Sequence, residues 1–394
     1  MFATYAVLLG RVFPSNEQGY ALGTSAAIAA FFLAAGPFIG GVLAEYLSWR
    51  VIFWMNVPIS FFVWRAVLRA IPADNAVELT VDQHFDYMGF FTFLFGFGTL
   101  VITLMQSQIW GWNSPYTIYG ALLAIVLLIV FVVTELTVRQ PLVDLRLFKK
   151  LDYLCANVVL LTAQVSVMVI AFWAIWLQVS MSYTPLEAGL RLLPTGLPII
   201  YMGRFAGKWA DSSGVGAPIK LGCGLCLLSA IWMSVTIPMN NYALSLVGML
   251  LYGVGAPLVI SPGIKAVLIA VPGHMAGMAS GTLNTMRNLG AALCFAVVGT
   301  AVSAAQRFYF NASNDLSANY ANLLPQMDSS FLLKMATTPG MDNSEMVMLR
   351  SAAANGYAYA LGWGMWTVVA FAAVGFFFAC IGFPRSSLHE KLGG

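Results

Sequence analysis

Charge is scarce in this sequence. Asp, Glu, Lys and Arg together make up 9% of the 394 residues, while hydrophobic residues make up 60% and the mean hydropathy is +0.81. A soluble domain is about a quarter charged. So few charges do not cover the surface of an apolar chain this long, so the solvent is lipid. The net charge of +3 gives no footing for nucleic acid. Histidine is nearly absent: His84, His274 and His389 fall in loops or the tail. HExxH and GxGD are both missing, which leaves metalloprotease and intramembrane protease chemistry without residues to run on. The five cysteines, Cys155, Cys223, Cys226, Cys294 and Cys380, all lie in apolar runs. Cys223 and Cys226 have CxxC spacing but no second ligand pair, so they read as small packing residues. No metal site, no cofactor and no enzyme activity is expected. Carboxylates are missing from the middle of every apolar run, since Glu45, Glu135 and Glu187 sit at ends.

Long apolar runs are plentiful. A helix rises about 1.5 Å per residue, so roughly 20 apolar residues cross a hydrocarbon core about 30 Å thick. Ten runs qualify: 21–43, 49–71, 87–106, 116–136, 155–178, 188–205, 218–237, 244–269, 278–303 and 358–382. Backbone groups in lipid must bond internally, and runs this long do so only as helices. Three connections are long: Pro72 to Asp86, Thr137 to Asp152, and the polar 304–357. Asn311-Ala312-Ser313 in the last is either a glycosylation acceptor or a chance match. Lysine and arginine collect on one side of the alternating spans, including Arg139, Arg146, Lys149, Lys150, Arg204, Lys208 and Lys220. That side is expected to be cytoplasmic, with 304–357 outside and the C-terminus inside a plasma (inner) membrane. The opening MFATYAVLLGR is too short to span and lacks the features of a signal peptide, so it reads as the end of a helix that began earlier.

In the first long run, Gly36 and Gly40 are one helical turn apart, Gly41 follows, and Pro37 lies between. Glycines at this spacing let a neighbouring helix approach backbone to backbone, and a proline bends its helix. A static packing motif would look the same. The longer run GPFIGGVLAEYLSWRVIFWMNVPIS closely resembles the antiporter motif of the fourteen-helix drug/proton antiporters of the major facilitator superfamily. Five further stretches resemble that family in its own order: VFPSNEQGYALG, FDYMGF, PLVDLRLFKKLDYLCANV, MSYTPLEAGLRLLPTGL and GMASGTLNTMRNLGAAL. Phe32 departs from the pattern, standing where the family usually has another glycine.

The resemblance implies an all-α polytopic membrane protein of major facilitator fold, N-terminally truncated, with about ten full transmembrane helices. In that register 1–71 is a remnant of the first bundle, 72–152 holds two linker helices, and 153–394 is a complete six-helix second bundle. It implies two bundles rocking about a central site, with Gly36, Pro37, Gly40 and Gly41 at the seam between them. It implies proton-coupled export of small amphipathic compounds. The family's proton-carrying residues lie in helices that would precede Met1, so this chain offers no protonation site. The alternative is a truncated or split transporter with no transport of its own. Expected partners are the lipid bilayer, an amphipathic substrate and protons, with a separate N-terminal fragment or a periplasmic adaptor as further candidates.

GKWADSSG resembles the superfamily's cytoplasmic loop motif through Gly207, Asp211 and Gly214, with Ser212 where an arginine is usual. Asp211 is either a solvated loop carboxylate or the partner of a base or a helix N-terminus. The same stretch is no phosphate loop, because its lysine is not followed by Ser or Thr. Arg287 lies ten residues into its run, where a guanidinium faces a cavity or pairs with a partner. With Asn284 it makes a polar face, read as a cavity or gate element or as a structural ion pair. Gln164 and Gln178 either line that cavity or bond between helices. Phe172, Trp173 and Trp176 stack on substrate or anchor the lipid interface. Lys265 is expected to snorkel to the interface, and Glu187 and Arg191 to form a surface pair.

Overall fold

A computed structural model describes residues 49–70, 86–138, 143–312 and 343–383, with Pro141 and scattered positions between 13 and 43. The acidic connection 72–85 lies outside the described residues. Every element is helical: α1 (Trp49–Trp54), α2 (Asn56–Ala70), α3 (Tyr87–Trp110), α4 (Pro115–Thr137), α5 (Leu151–Met168), α6 (Ile170–Val179), α7 (Pro185–Ser213), α8 (Gly216–Thr236), α9 (Tyr242–Ile269), α10 (Ala276–Leu293), α11 (Gly299–Ala312) and α12 (Asn343–Gly382). A short 3-10 turn, Leu145–Lys149, leads into α5, and a π-helical turn, Cys294–Val298, joins α10 to α11.

Local chemistry sets these boundaries. Asp86 caps α3 by accepting the Gly89 N–H at 2.7 Å. Thr184 and Glu187 form a reciprocal capping box at the start of α7, and Asn241 caps α9. Gly111 and Gly214 end α3 and α7 with φ of 86° and 82°, a region L side chains avoid. The expected span 49–71 divides at Met55, because Pro58 has no N–H to return to the Trp54 carbonyl.

Seven helical stretches among the described residues are long and apolar enough to cross a membrane. The 188–205 run is not one of them. It belongs to the 29-residue α7, diluted by Arg191, Arg204 and Lys208 and bent by Pro194 and Pro198. The 304–357 loop needs correction at both ends: α11 continues to Ala312 and α12 starts at Asn343. Phe310 and Leu349 are fully buried there, so tertiary packing holds helix beyond the apolar runs. The 40 residues of α12 make a rod about 60 Å long, twice the hydrocarbon thickness.

Helices α5 to α12 pack as one bundle. α5 runs through its centre against α9, α10 and α12; α8 lies against α9 and α12, and α11 against α12. The α3–α4 hairpin pairs with itself and touches α10, the π turn and α11. Glycines permit a close crossing of α8 and α9: a Cβ on Gly222 would sit 2.8 Å from the Gly255 carbonyl oxygen, and one on Gly255 3.0 Å from that of Gly222. Two apolar clusters form the core. One surrounds Tyr153, Ile219 and Ile264 toward the basic end; the other surrounds Trp173, Trp176 and Tyr252 toward the opposite end.

Candidate functional site

Asp211 stands in the last turn of α7, just before Gly214 turns the chain away. Its Oδ1 accepts the Lys265 ammonium from α9 in an ion pair whose side chains are 10% and 9% exposed. Its Oδ2 accepts the Tyr20 N–H at 2.9 Å. Tyr20 is helical and precedes the helical Gly36 in the chain, so the carboxylate holds a backbone N–H ahead of the Gly36 region. Lys208, one turn earlier on α7, lies 5.3 Å from the centre of the Tyr20 ring. Asp211 is therefore no solvated loop carboxylate: it partners a base and a backbone N–H together. Lys265 corrects the snorkelling expectation. It is 7% exposed, because Asp211 offers it a nearer counter-charge than the interface does. Ser212 bonds back to the Trp209 carbonyl in its own turn, and the cation expected beside Asp211 comes instead from α9. Gly207 is buried within α7.

Arg287 and Gln164 come together. The Arg287 Nε donates to Gln164 Oε1 at 3.1 Å, linking α10 to α5. Gly290 permits this, since a Cβ there would collide with the Leu161 carbonyl oxygen and lie 3.2 Å from Gln164 Cβ. Asn284 donates to the Ser280 carbonyl one turn back on its own helix. Gln178 does the same with Ala174 and is exposed on α6, so it is not part of the Arg287 group.

Where the seam is expected, Gly36 and Gly40 are helical, and a Cβ on either would meet nothing within 4 Å. Pro37 and Gly41 lie outside the described residues. Phe32 is 63% exposed.

Two expectations, one aromatic and one charged, change. Trp173 and Trp176 neither stack on substrate nor anchor an interface. Both are fully buried: Trp173 meets the Tyr252 ring edge-on, and Trp176 donates its indole N–H to Asn240 Oδ1 at 3.2 Å. Glu187 serves as the α7 cap, and Arg191 stacks on the Tyr183 ring at 3.6 Å, so the surface pair is replaced by two local contacts. Cys223 and Cys226 are free, buried thiols in α8.

Sequence reasoning passed over Asn288 and the Phe172–Phe295 pair. Asn288 is exposed on α10, one position after Arg287. The two phenylalanine rings lie 5.9 Å apart, tilted by 34°, joining α6 to the π turn. Asn288 was visible as a polar residue in an apolar run. The ring pair was not, because it depends on two helix irregularities.

The basic end thus carries a buried charge pair tied to a second helical segment, and the bundle interior carries a guanidinium held by an amide. The profile of the Major Facilitator Superfamily matches residues 1–86 and 86–294. The chain belongs to the major facilitator superfamily. It is a multi-pass membrane protein of that transporter family, and it is similar to several of its members. It is 31% identical over 304 residues to the multidrug resistance protein Stp of Mycobacterium tuberculosis, covering 76% of this chain and 56% of Stp. It is 28% identical over 309 residues to the lincomycin resistance protein LmrB of Listeria monocytogenes, covering 77% of this chain and 64% of LmrB. It is 26% identical over 293 residues to the tetracenomycin C resistance and export protein of Streptomyces glaucescens, covering 74% and 54%. The chain spans between half and two thirds of the length of these curated relatives.

Proposed function

We propose that this major facilitator chain works in proton-coupled efflux of small amphipathic, drug-like compounds by alternating access. The observation that carries the reading is Asp211. One carboxylate holds Lys265 of the α5–α12 bundle and the backbone N–H of Tyr20, a helical residue that precedes Gly36 and Gly40 in the chain. A transporter that opens its basic side must part these elements, and a buried charge that loses one partner makes the parted state distinct from the closed one. The resistance and export names of the relatives point to efflux of antibiotic-like molecules. The register of the fourteen-helix antiporters, with the basic end and the C-terminus cytoplasmic, fits the six stretches that resemble that family.

A second reading is favoured by Gly36 and Gly40. Their open surroundings suit a seam that a further helical bundle covers, so that transport would need both parts. The test is proton-gradient-driven movement of a fluorescent amphiphile across vesicles. One set holds this chain alone; the other holds it with the part of Stp that this chain does not match supplied as a separate piece. Gradient-dependent movement with the chain alone supports the first reading. Movement only in the paired vesicles supports the second. Movement in neither overturns both.

A further inference from the structure

Two neighbouring helices lose their regular ladder near one pair of rings. The chain breaks between α5 and α6 at Val169, and α10 passes through the π turn Cys294–Val298. Phe172 and Phe295 meet across these two irregular segments. The Phe172 carbonyl, just past the break, accepts the Tyr357 hydroxyl at 3.4 Å. Irregular turns inside membrane helices persist where surrounding protein holds them, and they mark ligand sites more often than regular helix does. Both segments run in the same direction from the basic end. Gln164 and Arg287, which also meet, lie eight residues before Phe172 and Phe295 respectively. The polar pair and the aromatic pair are therefore stacked along the membrane normal, about 12 Å apart.

The surface that α10 presents alongside is not a lipid face. Gly281, Asn284 and Asn288 recur at helical spacing on one side, and Phe295 continues it, exposed. A Cβ on Gly277 or Gly281 would meet nothing within 4 Å, so the space in front of those two glycines is open. The Asn288 amide is exposed and makes no hydrogen bond to any described residue. An amide in that state is costly against hydrocarbon and suits a wet cavity or a polar ligand. Arg287 brings a guanidinium to this stretch of α10. Between residues 153 and 303 the sequence holds two carboxylates, Glu187 and Asp211. The first caps α7 and the second is engaged by Lys265.

Resting on the efflux reading, we infer that this stripe is a substrate site for amphipathic molecules with a planar aromatic end and a hydrogen-bond-accepting, preferably anionic, end. The rings of Phe172 and Phe295 take the aromatic part. Asn288, beside the Arg287 guanidinium that Gln164 orients, takes the acceptor. Two amphiphiles of equal size and opposite charge are thereby distinguished: the cation meets a like charge, and the anion meets an opposite one.

The experiment is equilibrium binding of radiolabelled 2-naphthoate to the full purified chain, with 2-naphthylmethylammonium as the cationic counterpart. The expected result is saturable naphthoate binding, with the cation at least about tenfold weaker. Phe295→Leu keeps an apolar side chain but loses the ring face, and Asn288→Ala loses the amide; each should raise Kd by about fivefold. Arg287→Gln should shrink the difference between anion and cation. Phe377→Leu, an exposed ring elsewhere on α12, should leave Kd unchanged. No saturable binding, an equal effect of Phe377→Leu and Phe295→Leu, or preference for the cation overturns the site. Each variant is accepted only if it elutes as a single species with wild-type melting, and Phe295→Met serves as the milder alternative. Binding at equilibrium needs no gradient, so failure here leaves the vesicle efflux result standing. Loss of efflux with binding intact overturns the transport reading alone.

Discussion

Lys265 and Asp211, 54 residues apart in sequence, form a buried ion pair between α9 and α7, and the same carboxylate receives the Tyr20 N–H. Removing one charge from such a pair strands the other in a low-dielectric site. Lys265→Met is expected to destabilise by about 3–5 kcal/mol. The double variant Lys265→Met/Asp211→Asn leaves no stranded charge and keeps an acceptor for Tyr20, so it should recover most of that loss. Unfolding in detergent micelles measures both. A double variant no better than the single would show that the pair is not the source of the effect.

Gly290 and Gly281 lie on one helix with opposite surroundings. A Cβ at 290 collides with the Leu161 carbonyl, whereas one at 281 meets open space. Gly290→Ala should push α10 from α5 and cost about 1–3 kcal/mol. Gly281→Ala should be neutral or gain a few tenths from helix propensity. Thermal unfolding of the two separates them, and equal shifts would contradict the packing.

Gly40 provides a similar contrast between contexts. Nothing lies within 4 Å of a Cβ there, so Gly40→Val should change the stability of this chain alone by less than about 0.5 kcal/mol. Supplied with the unmatched part of Stp, the same variant should impair pairing and transport if that part covers Gly40. A pull-down of the separate piece reads the effect. Undiminished capture would remove Gly40 from the contact.

Orientation is checked by labelling. Lys149 and Arg350 are both exposed, near opposite ends of the bundle. With the basic end cytoplasmic, an impermeant maleimide added to whole cells should label Arg350→Cys and spare Lys149→Cys. The reverse pattern would invert the chain in the membrane.

The sequence foretold helices better than it foretold their ends and faces. Asp86, the Thr184–Glu187 box and the glycines at 111 and 214 act through neighbours a few residues away, so local chemistry sets them. Asp211 could be singled out by its loop pattern. Lys265 as its partner could not, because that contact forms only when α7 and α9 pack. Trp173 and Trp176 were misassigned for a related reason. Helices apolar all round carry no amphipathic signal to separate a core face from a lipid face. The Phe172–Phe295 pair was hidden by the Val169 break and the π turn, which shift the helical phase on which any reading of faces depends.

The most direct test of the central claim uses everted membrane vesicles, a fluorescent amphiphile and an imposed pH gradient. Wild type and Asp211→Asn are compared, each alone and with the unmatched part of Stp. The account predicts uphill movement of the amphiphile that stops when a protonophore collapses the gradient. It also predicts that movement is altered in Asp211→Asn, whose neutral side chain holds Lys265 and Tyr20 less firmly. Movement that is unchanged by the protonophore and by Asp211→Asn in both settings would contradict it.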